Sequence, residues 1–111
     1  MDKLDQIFNL QQKFRKEVQI KSTYNYRTND EKVSGLCTAI IHEAVELQRL
    51  TNWKWWKKPT DFDKKSAKEE LIDIWHFVIQ ASLELDLTPQ DLLEEYKHKN
   101  KINYKRQEQN Y

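Results

Sequence analysis

The chain has 111 residues, of which 33% are charged, and its 19 basic and 18 acidic side chains give a formal net charge of +1. This length fits a single domain over residues 1–111, and the balance of charge excludes a global positive field that would attract nucleic acid. The single cysteine, Cys37, excludes an internal disulfide and fits a reducing compartment. No apolar run has the length of a signal-peptide core or of a membrane span, so we expect a cytoplasmic protein.

The scarcity of glycine and proline indicates an all-α fold. The chain has one glycine and two prolines, and its apolar residues recur at helical spacing, which predicts a bundle of four to five helices. A first helix is predicted over about residues 2–20, and a second over about 31–51. The polar segment KSTYNYRTND between them is predicted to be a loop that ends in a helix cap at Asn29 or Asp30. The expected apolar side of the first helix consists of Leu4, Ile7, Phe8, Leu10, Phe14 and Val18.

An irregular connection is expected after the second helix. The segment TNWKWWKKPTDFDKK contains Pro59 and several cap-forming residues, so we expect it to lack regular structure and to contribute to function. Ser66 and Glu69 match a capping box that would open a third helix over about residues 66–86. The predicted core stripe of this helix consists of Leu71, Ile74, Trp75 and Val78, and we assign Trp75 to packing.

A fourth helix is predicted from about residue 89 to residue 100 or beyond. Thr88, Pro89 and Asp91 supply its N-cap, its first-turn proline and its first-turn acid. One face of its C-terminal part is basic and polar, which provides donors for phosphate oxygens or, alternatively, a solvated helix end favoured by the helix dipole. The residues on this face are Lys99, Asn103 and Arg106.

Glu43 in the predicted second helix does not lie on the polar side, where an acidic surface residue is expected. On a helical wheel it points along the apolar stripe of Leu36, Ile40 and Leu47. A carboxylate in such surroundings needs a cation, a donor or a metal ion as its partner. Glu46, three residues on, lies at the edge of the same stripe. One interpretation is a structural glutamate paired with a lysine or arginine.

The third helix repeats this acidic pattern. Glu70 and Asp73 share one face of it at a spacing of three residues. If the two helices pack antiparallel, these acids converge with Glu43 and Glu46, and their mutual repulsion calls for divalent cations. Oxygen ligands without cysteine favour Mg²⁺ or Mn²⁺ over zinc.

These motifs together resemble the all-α NTP pyrophosphatases, which include the MazG-type enzymes and the dimeric dUTP pyrophosphatases. The family signature is ExxE on one helix and ExxD on the next, as in the two acid pairs above. The dUTPase branch is the more similar, because it also has a WKxWK-like loop, here residues 53–57, and an aspartate-x-x-His-Phe run, here residues 73–77. Its terminal KNxxNxxRQxxGY pattern is similar to KNKINYKRQEQNY at residues 99–111. The residues in register in this pattern are Lys99, Asn100, Asn103, Arg106, Gln107 and Tyr111.

Three departures from the family pattern stand out. Family members are typically longer, so this chain would be a shortened form. Asn110 replaces the glycine before the last tyrosine. In the first helix the family has a QxxLN-like pattern that places an amide against the base; Gln12 fits it, but Arg15 stands where asparagine is expected.

The resemblance implies a Mg²⁺-dependent enzyme, with Mn²⁺ as a substitute, that hydrolyses dUTP to dUMP and diphosphate. It implies a homodimer or homotetramer that acts on a nucleotide, with neither a membrane nor a specific nucleic acid as partner. Glu43, Glu46, Glu70 and Asp73 would bind metal, and Glu43 or Glu46 would also activate water. The implied phosphate ligands are Lys99, Asn103, Arg106 and Tyr111. The implied base and sugar contacts are Gln12, Trp55, Trp56, His76, Phe77 and Asn100.

Two alternatives stay open at this point. The chain could be a MazG-like pyrophosphatase for another nucleotide such as dCTP, since Arg15 leaves the base undecided. It could also be a helical module without enzymatic activity that binds nucleic acid or protein, because interleaved tryptophan and lysine is typical of single-strand stacking surfaces. The lysines of the connection, Lys54, Lys57 and Lys58, could bind phosphate or be solvated.

Overall fold

The computed structural model describes residues 1–18 and 26–109, and over these residues it contains helices and no strand. Four helices follow one another along the chain, which confirms the all-α prediction. None of them is long and apolar enough to cross a bilayer. Much of the predicted loop at residues 21–30 and the terminal Tyr111 lie outside the described residues. The helices are α1 (Lys3–Val18), α2 (Asn29–Arg49), α3 (Lys64–Glu84) and α4 (Pro89–Glu108).

Two of the predicted caps are wrong by a few residues. The N-cap of α2 is Thr28, whose backbone is extended, and it forms a reciprocal capping box with Glu31. The N-cap of α3 is Asp63, whose carboxylate accepts the backbone N–H of Ser66 at 3.1 Å. Ser66 therefore lies inside the first turn as a donor and does not open a capping box. In both cases several adjacent residues are able to cap, and the one with extended or non-helical backbone does so.

The start of α4 matches the prediction. Thr88 caps the helix, its hydroxyl accepts the backbone N–H of Asp91 at 3.1 Å, and the Asp91 carboxylate accepts the backbone N–H of Thr88 at 3.1 Å. Pro89 occupies the first turn, where its missing N–H leaves no hydrogen bond unmade. Along the chain α4 continues to Glu108, past the minimum end predicted at residue 100.

Helices α2 and α3 pack against each other more extensively than any other pair. The Asn29 side chain at the start of α2 donates to the backbone carbonyl of Glu84 at the end of α3, at 2.7 Å. At the opposite end, Glu43 and Glu46 of α2 approach Glu70 of α3. These two meeting points establish that the helices run antiparallel.

The core of a single chain is small and differs from the predicted stripes. In α1, Phe8 is buried, whereas Leu10 and Phe14 are exposed. In α3, Ile79 is buried, but Trp75 is 51% exposed, so its assignment to packing is wrong within one chain. The reason is that α1 and α2 cover only one side of α3, and that side contains Ala67, Ile79 and the polar Gln80. The other exposed apolar residues on α1, α2 and α3 include Ile7, Val18, Ile41, Val45, Leu71, Ile72 and Val78.

The connection between α2 and α3 is irregular, as predicted. Its two ends are joined by Asn52 and Thr60: the Thr60 backbone N–H donates to Asn52 Oδ1, and Asn52 Nδ2 donates to the Thr60 carbonyl, both at 2.9 Å. Between them the three tryptophan rings pack edge to face, Trp53 on Trp56 at 5.8 Å and Trp55 on Trp56 at 5.3 Å between centroids. This segment of residues 52–60, here called the tryptophan loop, is thus closed on itself.

The cap of α2 can be tested with a pair of threonine variants. Thr28→Ala removes the capping hydroxyl and is expected to lower the free energy of unfolding by about 1 kcal/mol. Thr38→Ala is the matched control, because Thr38 is exposed in the middle of α2, where its hydroxyl donates to the carbonyl of Ser34. Alanine there is expected to leave stability unchanged or slightly higher. Urea denaturation followed by circular dichroism measures both, and equal losses would contradict the cap assignment.

Candidate metal centre

Three carboxylates converge between α2 and α3. They belong to Glu43, Glu46 and Glu70, and each residue offers one carboxylate oxygen that lies within 4.8 Å of the other two. The spacing of three residues places Glu43 and Glu46 on one face near the end of α2, and the antiparallel packing brings Glu70, near the start of α3, opposite them. The convergence expected from the sequence therefore occurs for three of the four acids. We refer to these three residues as the acid cluster.

Asp73, the fourth predicted acid, lies close to the cluster but outside it. It is exposed, and its oxygens do not belong to the group of atoms within 4.8 Å. Its negative charge nevertheless contributes to raising the pKa of both Glu43 and Glu70. Asp73 lies one turn beyond Glu70 on α3, and its role as a ligand stays a prediction.

Two oxygens of the acid cluster are buried without a hydrogen bond. They are Oε2 of Glu43 and Oε2 of Glu70, and the part of the chain that the structure describes offers neither a partner. The ion pairs Lys13–Glu17 and Arg15–Glu84 lie elsewhere. A structural glutamate neutralised by lysine or arginine is therefore not what the described residues show. Buried acceptors that lack a donor are suited to a cation.

Burial raises the pKa of the Glu43 carboxyl, and the negative charges of Glu46 and Asp73 raise it further. Burial is also the largest cause for Glu70, whose pKa is raised additionally by the charge of Glu46. A divalent cation would reverse both effects, because it stabilises the ionised carboxylates. Carboxylate oxygens without sulfur or imidazole in the group fit a hard ion such as Mg²⁺ or Mn²⁺.

A chain of polar side chains runs from α3 to α1 beyond the acid cluster. His76 Nδ1 lies 3.1 Å from Gln11 Oε1, and Gln11 Nε2 donates to Gln80 Oε1 at 2.8 Å. Gln80 Nε2 donates to Glu84 Oε1 at 2.9 Å, and Arg15 donates to the same oxygen at 3.1 Å. Gln11, Gln80 and Glu84 are all buried. We call these five residues the polar relay.

The polar relay includes residues that sequence reasoning missed. Gln11, and not its neighbour Gln12, contacts His76; Gln12 is half-buried, and its proposed contact with the base stays a prediction. The available signal was the spacing of the QxxLN-like pattern, in which glutamine and asparagine stand four residues apart: the residue four positions before Arg15 is Gln11, not Gln12. Glu84 could have been found from Arg15 only by knowing that α1 packs on α3. Phe77, next to His76, is half-buried.

The tryptophan loop borders a cavity of its own. This cavity has a volume of about 490 Å³ and is lined by basic and polar side chains together with Trp53. Trp55, which is 86% exposed, and Trp56 are not among its lining residues, and neither is any acid of the cluster. Stacking of Trp55 or Trp56 on a base thus stays a prediction. The lining residues are Arg49, Thr51, Asn52, Trp53, Lys54, Lys57, Lys58 and Thr60.

Over the described residues, the helix that bears the predicted phosphate ligands packs mainly away from the acid cluster. Helix α4 contacts α1 and has no comparable contact with α2 or α3, between which the cluster lies. The predicted phosphate ligands on it are exposed, and Tyr111 is outside the described residues. Their role therefore stays a prediction. The exposed predicted phosphate ligands are Lys99, Asn103 and Arg106; Asn100, predicted to contact the base or sugar, is exposed as well, and its role likewise stays a prediction.

Antiparallel helices that bring carboxylates together around buried, unsatisfied oxygens define an all-α protein with a candidate centre for a divalent cation. The profile of the dUTPase family matches residues 3–90, a span that includes α1, α2, α3 and both acid pairs. The chain therefore belongs to the all-α dUTPase family. No match was found among curated proteins or among solved structures.

The raised pKa values predict how the metal-free protein responds to removal of a charge. Glu43→Gln relieves the repulsion within the acid cluster, so it is expected to raise the melting temperature of the metal-free protein. Mg²⁺ is expected to raise the melting temperature of the wild type and to have less effect on the variant. Glu69→Gln is the control, since Glu69 is exposed on α3 beside the cluster. A variant that melts lower than wild type without metal, and is stabilised equally by Mg²⁺, would contradict the metal centre.

The pH dependence of this difference follows from linkage. A carboxyl whose folded-state pKa is raised binds its proton more tightly in the folded chain than in the unfolded one, so it destabilises the fold at pH values above the raised pKa. This destabilisation is relieved as the pH falls through the raised pKa of the folded chain towards 4.5, the ordinary value of a glutamate carboxyl. The stability gap between Glu43→Gln and the metal-free wild type should therefore shrink on acidification. Thermal unfolding in chelator at a series of pH values measures it.

Proposed function

We propose that this chain hydrolyses dUTP to dUMP and diphosphate and that the reaction requires Mg²⁺, for which Mn²⁺ can substitute. The observation that carries the proposal is the acid cluster, whose buried oxygens on Glu43 and Glu70 lack partners inside the region matched by the dUTPase family. Family membership supports the substrate class, and the cluster supports a metal-dependent hydrolysis. Water is the nucleophile in such a reaction, and diphosphate leaves.

The residues that would hold the metal are Glu43 and Glu70, with Glu46 and Asp73 at the rim. When bound there, Mg²⁺ would neutralise the charge of the triphosphate and polarise its oxygens. Without that neutralisation, the acids of the cluster would repel the phosphate chain. The first contribution of these residues is therefore to make phosphate binding conditional on a cation.

Glu46 is the better placed of the two candidate catalytic acids to handle the attacking water. It is exposed, whereas Glu43 is half-buried and has a buried oxygen. A carboxylate at the surface of the cluster can orient a water molecule and accept its proton. In this proposal Glu43 serves mainly as a ligand, and Glu46 holds the nucleophile in line with the phosphate to be attacked.

The base would lie beyond Asp73 along α3, at His76 and Phe77. His76 is the next polar residue on that side of the helix and is already oriented by Gln11 at 3.1 Å. Trp55 or Trp56 of the tryptophan loop would close over the base by stacking. The triphosphate would then lie at the acid cluster and the base at His76, so that both would contact consecutive turns of α3.

A second copy of the chain would complete the site. Many apolar residues on three helices, among them Leu10 and Trp75, are exposed in a single chain, and exposed apolar residues that group together mark interaction sites. Over the described residues, α4 packs mainly on α1 and not on the two helices that bear the acid cluster. We therefore expect a homodimer or homotetramer in which Lys99, Asn103 and Arg106 bind phosphate oxygens.

The direct test is release of diphosphate from dUTP and the four standard dNTPs in the presence of Mg²⁺. We expect dUTP to be the preferred substrate, and Glu70→Gln to lower kcat/KM by at least about 100-fold, as loss of charge stabilisation at a reacting phosphate does. Glu69→Gln is the matched control and should retain activity. Preference for dCTP would change the base but keep the mechanism. If no nucleotide releases diphosphate and the protein binds single-stranded DNA tightly, the chain is better explained as a helical binding module without enzymatic activity.

The basic face of α4 generates a separate prediction. Arg106→Ala is expected to raise KM for the nucleotide about tenfold or more, the usual cost of a lost charge-assisted hydrogen bond, with a smaller effect on kcat. Lys101→Ala provides the control, because Lys101 is exposed on the opposite side of the same helix. Steady-state kinetics on both variants decides the matter, and equal KM values would remove α4 from the site.

A further inference from the structure

The polar relay has a direction, because its members differ in what they can donate and accept. A guanidinium only donates hydrogen bonds, and an ionised carboxylate only accepts them. A glutamine amide does both, with its oxygen at one end and its nitrogen at the other. In a line of such groups, the first member determines which end of each following amide donates and which accepts, and so determines what the last member must do.

The ion pair between Arg15 and Glu84 defines the start of the relay. Glu84 Oε1 accepts from Arg15 at 3.1 Å and from Gln80 Nε2 at 2.9 Å. Because the carboxylate cannot donate, Gln80 must present its nitrogen to Glu84 and its oxygen to the other side. That oxygen then requires a donor, which is Gln11 Nε2 at 2.8 Å.

The same reasoning continues to the imidazole. Gln11 has its nitrogen committed to Gln80, so its oxygen faces His76 Nδ1 at 3.1 Å. An amide oxygen in that position needs a donor, and Nδ1 must therefore carry a proton. In the neutral imidazole Nε2 is then the acceptor. Burial makes the polarity strict at the two amides, because Gln80 is only 1% exposed and Gln11 only 8%, so water does not readily substitute for a mismatched partner there. His76 itself is exposed, so a ligand can reach its imidazole.

We propose that the Arg15–Glu84 ion pair, acting through Gln80 and Gln11, fixes His76 in the Nδ1–H tautomer and thereby makes Nε2 an acceptor for a ring N–H of the nucleobase. This inference rests on the proposed function for the identity of the ligand but not for the tautomer itself. Arg15, Glu84 and Gln80 are positioning residues, since they act through Gln11 and His76 and do not touch the base.

The tautomer of His76 determines which base the site prefers. Uracil has an N–H donor at ring position 3, whereas cytosine has a lone pair at that position. An acceptor at His76 Nε2 pairs with the first and opposes the second, and a site built to bind an N–H group discriminates strongly against an analogue that lacks it. Arginine at position 15 contributes because it can only donate; an asparagine amide there could face Glu84 or turn away, and would leave the direction of the relay less tightly defined.

The decisive measurement is nuclear magnetic resonance of the ligand-free protein with ¹⁵N-labelled histidine, above neutral pH, where the nitrogen shifts distinguish protonated from bare imidazole nitrogens. His76→Gln assigns the signal of His76 among the three histidines. We expect Nδ1 of His76 to be protonated in the wild type. A wild-type His76 protonated on Nε2 would overturn the proposal.

Exchanging the charges of the ion pair should reverse the whole relay. In the double variant Arg15→Glu with Glu84→Arg, the donor is on α3, so each amide must turn round and the proton must move to Nε2 of His76. The matched control exchanges the exposed pair of α1, Lys13→Glu with Glu17→Lys, which is joined at 4.0 Å outside the relay. If the first exchange does not fold, Gln80→Leu interrupts the relay at nearly constant volume and should leave a mixture of tautomers. An unchanged pure Nδ1–H form in the double variant or in Gln80→Leu would overturn the inference.

Kinetics provide the readout at the substrate. The ratio of kcat/KM for dUTP to that for dCTP should fall at least about tenfold in Gln80→Leu, mainly through KM for dUTP, while the control exchange retains the wild-type ratio. If His76 is protonated on Nδ1 but no nucleotide is hydrolysed, the proposed function is refuted and the inference about the tautomer stands. A hydrolase whose base preference is untouched by Gln80→Leu would refute the relay's role in selectivity alone.

Discussion

Repulsion between carboxylates at the contact of α2 and α3 is the constraint on which the rest of the molecule depends. This contact is the most extensive in the fold, yet it brings Glu43, Glu46 and Glu70 to within 4.8 Å and buries oxygens that lack partners. A chain selected for stability alone would place apolar side chains there, since buried unpaired charge opposes folding. The helices therefore meet at a point that becomes more favourable when a cation or bound protons offset the negative charge. Carboxyl groups with pKa values raised in this way cluster at functional sites.

The sequence predicts the local features of this protein well because they depend on near neighbours. Thr88, Pro89 and Asp91 mark the start of α4 correctly, since a cap involves residues three apart. The acid pairs are recognisable for the same reason, because a spacing of three places both members on one helical face. The convergence of Glu43, Glu46 and Glu70 required only one further assumption, antiparallel packing, which a connection between consecutive helices makes natural.

The features that sequence reasoning could not supply depend on which side of a helix is covered. Trp75 lies on an apolar stripe, but α1 and α2 pack elsewhere on α3, and the ring stays exposed in one chain. Gln11 and Gln12 are adjacent and chemically identical, and about 100° of helical rotation separates the buried residue from the half-buried one. The partnership of Arg15 with Glu84 spans 69 positions and belongs to tertiary packing alone. The replacement of an expected asparagine by Arg15 is intelligible only with Glu84 in view.

The hydrogen-bonded closure of the tryptophan loop has a consequence for how such a protein could diversify. Asn52 and Thr60 bond to each other twice, so the two ends of the loop are joined by contacts that use no side chain of residues 53–59. We therefore expect exchanges within residues 53–59 to preserve this junction better than changes at Asn52 or Thr60. The acids of the cluster lie on the helices and not in this aromatic stretch. A lineage could alter what this surface recognises while the carboxylates keep their register.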